Sequence, residues 1–351
     1  MNSVKSWLLT GICVGLFMVS TDSYQALAMT TKNQKQPAIT SIGRIKTINN
    51  KNITRKLPKR YSNGYYPESG HINRMRVNGG AKNVHFTTSY FLSHDNSQLW
   101  AAPQSAARVG HYVYVMYNLN RSFNDKHDFI VRYDIRKMKN HGIPLLHKNK
   151  KAAGIKVGPV FKGGHGQSLS YNPKNKQLWF VNVGRGSAYN ASAERVSMRT
   201  LRPNYQVKFK FTRNRLLSMD NSLAFDKHGR AYTYVRAGGG DVKVGAYRIY
   251  YGKISTSGVH FRVAKHAIRH AAGAIPQGMG YNPKNNRLYF VSDGSIISIP
   301  ANKVNRFKKH DIHYIHVKTN REFEGLTFNR KGEGLLLVLR PSELMKMSGS
   351  F

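Results

Sequence analysis

The stretch GGHGQSLSYNPKNKQLWFV, residues 163–181, decides the fold, because the chain repeats it in degraded form. Residues 275–291 read IPQGMGYNPKNNRLYFV, with Tyr171, Asn172, Pro173 and Lys174 matched by Tyr281, Asn282, Pro283 and Lys284. MDNSLAFDKHGRAYTYV lies between them at 219–235, FEGLTFNRKGEGLLLVL follows at 323–339, and a weaker first copy, APQSAARVGHYVYVMY, runs over 102–117. Aligned on their leading polar residue (Gln104, Gln167, Asn221, Gln277 and Glu324), the copies stand 63, 54, 56 and 47 residues apart. Self-similarity at such a period is the signature of an array of like units.

Each copy has one internal plan. A polar or small lead precedes a short strand, a turn of Asn, Pro, Asp, Lys or Gly follows, and a second strand rich in Val, Tyr, Trp and Phe completes a hairpin. A third alternating segment follows the hairpin, and in several copies a fourth stands ahead of the next lead. Three to four strands per unit, repeated five times with almost no helical periodicity, predict an all-β chain folded as a five-bladed β-propeller over residues 84–351. A ring must close, and the segments expected to pair across the seam are VHFTTSYFL at 84–92 and ELMKM at 343–347, which puts Phe351 beside the seam.

Ahead of this domain the composition changes twice. Residues 1–28 carry Lys5, the apolar run WLLTGICVGLFMV and the small-x-small triplet Ala26-Leu27-Ala28, the layout of a cleavable signal peptide. The run is too short for a confident membrane span, and no transmembrane segment is expected after cleavage. Cys13 lies inside this run and is the sole cysteine, so disulfides, thiol catalysis and cysteine-based zinc sites are excluded from the mature chain. Residues 29–83 have few large apolar side chains, and 31–83 hold twelve Lys or Arg against one acid, Glu68. Such a segment buries too little apolar surface to offset its ordering entropy and is expected to be a mostly disordered basic arm.

The charge is extreme: 56 Lys plus Arg against 16 Asp plus Glu, a formal +40. A secreted chain of this charge is expected to meet anionic partners outside the cell: teichoic acids and other cell-wall polymers, or envelope glycans. Nonspecific, salt-sensitive binding to nucleic acid is expected in vitro, whereas sequence-specific DNA recognition has no supporting motif. No spaced histidine pair supports a metal site and no motif supports a cofactor. GGGD at 238–241 lacks the strand-to-helix setting of a phosphate cradle, and GRGSAYNAS at 184–192 lacks the second glycine of a nucleophile elbow.

Hydrolysis of glycosidic bonds on such a ring needs paired carboxylates facing the centre. Asp220 and Glu324 stand at or beside leading positions and form the expected acid pair, with Glu322, Asp293 and Asp95 as the other plausible acids. The remaining leads, Gln104, Gln167 and Gln277, suit either ligand hydrogen bonding or ties between blades. His165 sits between glycines that let its ring approach a ligand closely. Trp100 and Trp179 are the expected stacking surfaces for a sugar.

The GGHGQS segment at 163–168, the hairpin after it ending in WFV, the NSLAFDKHGRAY unit at 221–232 and the FEGLTF unit at 323–328 together resemble the helveticin J family, class III bacteriocins and related extracellular proteins of lactic-acid bacteria. The resemblance covers about residues 84–351. It implies a secreted protein, cell-wall associated or free, that antagonises Gram-positive bacteria through their envelope, and it supplies no catalytic residues. The cleavable leader and the unusually basic arm and surface depart from the family pattern and leave room for a drift from killing to non-lethal wall adhesion. An extracellular polysaccharide-cleaving hydrolase is the alternative reading.

Overall fold

Hairpins of the predicted kind recur along the chain, and four of the five opening turns carry their own cap. In the computed structural model, which describes residues 29–351 except 51–71, 93–100, 123–124, 139–153, 184–189, 214–216, 218–221, 238–241, 244, 271–272 and 274, the side chains of Asn172, Asp226, Asn282 and Asn329 accept the main-chain N–H two residues on, at 3.1, 2.9, 3.0 and 3.0 Å. An Asx turn of this kind reverses the chain without help from the core. Asn-Pro-Lys, Asp-Lys-His and Asn-Arg-Lys are thus equivalent devices. The expected signal peptide, Trp100 and Asp220 lie outside the described residues.

Among the described residues the strands form five four-stranded antiparallel units. Unit I is Ala101–Val109, Tyr112–Ser122, Asp125–Asp134 and Ile155–Val157. Unit II is Ser170–Asn172, Gln177–Val183, Ala191–Ser197 and Arg202–Phe209. Unit III is Ala224–Phe225, Ala231–Arg236, Tyr247–Ser255 and Gly258–Val263. Unit IV is Pro276–Asn282, Arg287–Ser292, Ser295–Pro300 and His313–Val317. Unit V is Glu322–Phe328, Gly334–Leu339, Glu343–Ser348 and, from the other end of the chain, His85–Phe91. Arg74–Gly80 pairs with both His313–Val317 and His85–Phe91 and so fuses units IV and V into one nine-stranded sheet.

The first strands of units I to V touch one another in sequence, and the first strand of unit V touches that of unit I. Their approach is close enough to require glycine. A Cβ on Gly280 would lie 2.1 Å from the Leu326 carbonyl oxygen, and one on Gly278 would lie 2.5 Å from that of Glu324.

Second strands are buried on both faces, which is why they read as continuous apolar runs instead of alternating ones. In Gln177–Val183, Leu178 and Phe180 pack towards unit I while Trp179 and Val181 pack towards unit III. In Arg287–Ser292, Leu288 and Phe290 face unit III while Tyr289 and Val291 face unit V. Leu336 and Val338 face unit IV while Leu335 and Leu337 face unit I. Five apolar clusters therefore lie between successive units. Each unit lends one face to each of two of them.

The described part of the N-terminal arm departs from the expectation of disorder. Thr30–Asn33 runs parallel to Arg202–Phe209 at the edge of unit II, and Lys46–Asn49 runs parallel to His266–Arg269 beside unit III. Between them the Gln34 side chain donates to the Val259 carbonyl at 2.9 Å and accepts its N–H at 2.7 Å, while Ala38 and Ile39 enter the cluster between units II and III. The physical reason is that edge pairing is a main-chain interaction. A basic, apolar-poor segment satisfies an open strand edge as well as an apolar one does. The expected boundary at residue 84 shifts for the same reason, since Arg74–Gly80 is already part of the sheet.

Candidate active site

Three of the five leading residues sit on β-bulges. Pairing register slips between Pro103 and Ser105, between Pro276 and Met279, and between Phe323 and Gly325, which puts Gln104, Gln277 and Glu324 in the irregular positions. A bulge re-aims a side chain that regular pairing would direct to a sheet face. Unit II uses another device. The Ser168 hydroxyl accepts the Val181 N–H and donates to the Val181 carbonyl, both at 2.9 Å, and this fixes the loop that carries Gln167.

These side chains meet across the molecule. Gln167 Nε2 donates to Gln277 Oε1 and, at 3.3 Å, to Glu324 Oε2. Unit II is not next to unit IV or unit V in the cycle of first strands, so a contact among the three lies at its centre. Gln104, also buried, lies beside Gly166 at the same end.

Two further carboxyls belong to this centre. Asp293 stands in the Asp-Gly turn between Arg287–Ser292 and Ser295–Pro300 and accepts the Phe323 N–H at 2.9 Å. Glu322 shares a strand with Glu324 and is near enough to act on its carboxyl, and its Oε2 lies 3.4 Å from Arg340 Nε. Burial pushes the Glu324 carboxyl well above the usual range, and the charges of Glu322 and Asp293 push it further, against the opposing Gln167 hydrogen bond and Arg340. Burial and then Asp293 raise Glu322 too, against Arg340. Glu324 is 1 % exposed, whereas the Glu322 side chain keeps 25 % of its surface. Glu322 is therefore the more accessible of the two acids. Among the described residues no group of three His, Cys, Asp or Glu side chains is placed to hold a metal ion.

Of the residues singled out in the sequence, Gln167, Gln277 and Glu324 are brought together. Trp179 is not. It is fully buried between units II and III with its indole N–H on Gln177 Oε1 at 3.2 Å, so it is core and offers no stacking face. Strand alternation decides this, since the face next to Phe180 belongs to the opposite cluster. His165 is exposed on its loop. The glycines around it answer to packing: a Cβ on Gly163 would lie 2.4 Å from Asp128 Oδ2, and one on Gly164 would lie 2.5 Å from Asn182 Oδ1. Asp293 and Glu322, secondary acids by their position in the sequence, join this cluster. The Asp-Gly hairpin signal at 293–294 was the available clue to the position of Asp293.

A separate buried carboxyl carries a stability prediction. Glu194, 1 % exposed in unit II, accepts Ser192 Oγ at 2.9 Å and Gln206 Nε2 at 3.0 Å, yet burial pushes its pKa up to about 7 from 4.5. The folded state therefore favours the protonated form. Its stabilising effect is complete below about pH 4.5 and is lost as pH rises to 7, a swing of about 3 kcal/mol. Glu194→Gln is expected to match the parent below pH 4.5 and to exceed its stability by roughly that amount at pH 8. Urea unfolding at the two pH values checks this, and parallel stability–pH curves would reject it.

No protein-family profile matches the chain, and no curated protein sequence does. Among solved structures it is similar to a GH43_1 enzyme from Xanthomonas citri, complexed with xylotriose, at 12 % identity and TM-score 0.43, over 72 % of this chain and 88 % of that one. It is also similar to a glucose dehydrogenase (9 % identity, TM-score 0.38, 81 % of this chain and 98 % of that one) and to a streptogramin B lyase (11 %, 0.34, 79 % and 97 %). Likenesses this distant carry no inference about activity.

Proposed function

We propose that the chain is a five-bladed β-propeller and that its axial carboxyl cluster hydrolyses glycosidic bonds of an extracellular polysaccharide. The ring reading rests on the five four-stranded units, the cyclic contacts of their first strands and the five shared cores. One observation carries the chemistry: Asp293, Glu322 and Glu324 are gathered where side chains of non-adjacent units meet, and two of them are shifted towards the protonated form.

Glycoside hydrolysis needs a carboxylic acid to protonate the leaving oxygen and a carboxylate to serve the anomeric carbon. Glu322 holds a proton to higher pH than a free glutamate and is partly exposed, so it donates to the glycosidic oxygen. Asp293, oriented by the Phe323 N–H, takes a proton from the attacking water. Glu324, shifted by burial towards its protonated form, keeps the cluster in register with Gln167.

Release of reducing ends from a panel of soluble polysaccharides by the full chain tests this reading. Glu322→Gln is expected to lower the rate by about 10²–10⁴-fold with unchanged thermal unfolding. A panel with no cleaved member, or a Glu322→Gln variant as fast as the parent, would refute it.

A second reading is favoured by the net charge of +40. Here the chain is a secreted, helveticin-like antibacterial protein that binds the anionic Gram-positive envelope, and the axial acids only tie blades together. It requires cell binding and loss of viability that survive Glu322→Gln, release no reducing ends, and fall steeply in about 1 M salt, where screening acts over roughly 3 Å.

A further inference from the structure

The first strands run from the axial acids to the Asx turns, and at the turn end lies a cavity of about 740 Å3 lined by residues of all five units. That volume is within the range of small-molecule pockets. The residue just before the Asx position is aromatic in four units: Phe225, Tyr281 and Phe328 form the cavity floor from within the cores between units, and Tyr171 is half-buried on the wall. Four cations line it as well, Arg108, Lys227, Arg330 and Lys331, and no acid does.

The general basicity of the chain accounts for exposed lysines but not for Arg108. Its side chain is 11 % exposed, its Nε is buried without a hydrogen-bond partner in the protein, and its nearest acid, Glu333, stands 3.6 Å away and half exposed. Burial lowers the pKa of this guanidinium, which means that its charge is incompletely compensated. A guanidinium whose Nη1 donates to the Glu333 carbonyl at 3.4 Å but whose Nε has no partner, in a wall with more cations and the half-buried Tyr171 ring, suits a ligand that carries both a ring face and an anion.

We propose that this cavity binds a phosphate-bearing sugar unit of an anionic glycan, with the half-buried Tyr171 ring packed on the sugar and the cations on its phosphate. Units I, III and V each contribute a cation to the lining, and several separate positive groups fit a tetrahedral dianion better than a planar carboxylate, which one guanidinium satisfies. The cavity is also closed across the axis by the Gln167, Gln277 and Glu324 contact, so it receives a terminal or short unit. A continuous nucleic-acid strand instead needs an open groove. The proposal is independent of the hydrolase reading, because the two sites lie at opposite ends of the first strands.

Titration calorimetry on the full chain at constant salt tests it, with glucose 1-phosphate, glucose, inorganic phosphate, glucuronate and a single-stranded oligonucleotide as probes. Glucose 1-phosphate is expected to bind about tenfold or more tightly than glucose, phosphate or glucuronate, and the double variant Lys227→Gln/Arg330→Gln to lose about tenfold. Glu322→Gln is expected to bind like the parent, so failure of the hydrolase reading leaves this result standing. The proposal is overturned if glucose 1-phosphate does not bind, if phosphate or glucuronate binds as well, if the double variant binds unchanged, or if the oligonucleotide displaces glucose 1-phosphate at equal phosphate concentration.

Discussion

Removal of residues 343–351 is expected to abolish cooperative folding, far beyond the effect of trimming an ordinary terminus. Glu343–Ser348 is an interior strand, paired on one side with Gly334–Leu339 and on the other with His85–Phe91. Its loss takes Leu344, Met345 and Met347 out of two apolar clusters and leaves two strands with open edges. Each large buried side chain is worth about 2–5 kcal/mol, against a total stability of roughly 5–15 kcal/mol. Phe351 adds a further tie to unit IV: its main-chain oxygen accepts Tyr289 Oη at 2.8 Å and Ser298 Oγ at 3.0 Å, and its ring meets Tyr289 edge-on at 5.2 Å. Circular dichroism during thermal unfolding reads the outcome. A truncated chain that keeps the parent's sharp transition would remove Glu343–Ser348 from the closing role.

Glu343→Ala is expected to cost about 3–5 kcal/mol. Its carboxylate is fully buried and accepts from Arg321 Nη1, Thr88 Oγ1 and, at 3.2 Å, Asn73 Nδ2. Arg321 is itself nearly buried and also donates to the Leu339 and Pro341 carbonyls. The substitution therefore strands a guanidinium in the interior and unties the two N-terminal residues that reach the seam. A desolvated pair contributes little net stability beyond what apolar side chains of its size would give, so Arg321→Met/Glu343→Leu is expected to recover part of the loss. Urea denaturation of the parent and the two variants checks both statements. A single variant within about 1 kcal/mol of the parent would show that Arg321 finds another partner.

The closing seam was legible in outline. VHFTTSYFL and ELMKM were identified as the segments to pair, since a ring of repeats must be sealed and these were the unpaired alternating runs at either end. The Arg321–Glu343–Thr88 contact inside the seam was not, because its members are 22 and 255 residues apart and no local pattern links them. Trp179 shows the same boundary from another side. A strand buried on both faces leaves no alternation by which to tell one neighbour from the other, so composition alone did not show that its ring is core.

The axial site was half visible. Repeat alignment picked out Gln167, Gln277 and Glu324, and their shared position in the unit is why they converge. That Asp293 joins Glu322 and Glu324 depends on how a turn of one unit lies against the first strand of the next, and repeat periodicity carries no signal for this.

The sequence by itself determined the all-β class, the hairpins and their Asx turns, because these follow from residue types a few positions apart. Only the tertiary structure decided which strand edges the N-terminal segments occupy, which acids share a site, and which leading residues are turned inward by bulges. Those outcomes depend on main-chain pairing and on the burial of charge between distant units, and both arise only once the chain has closed on itself.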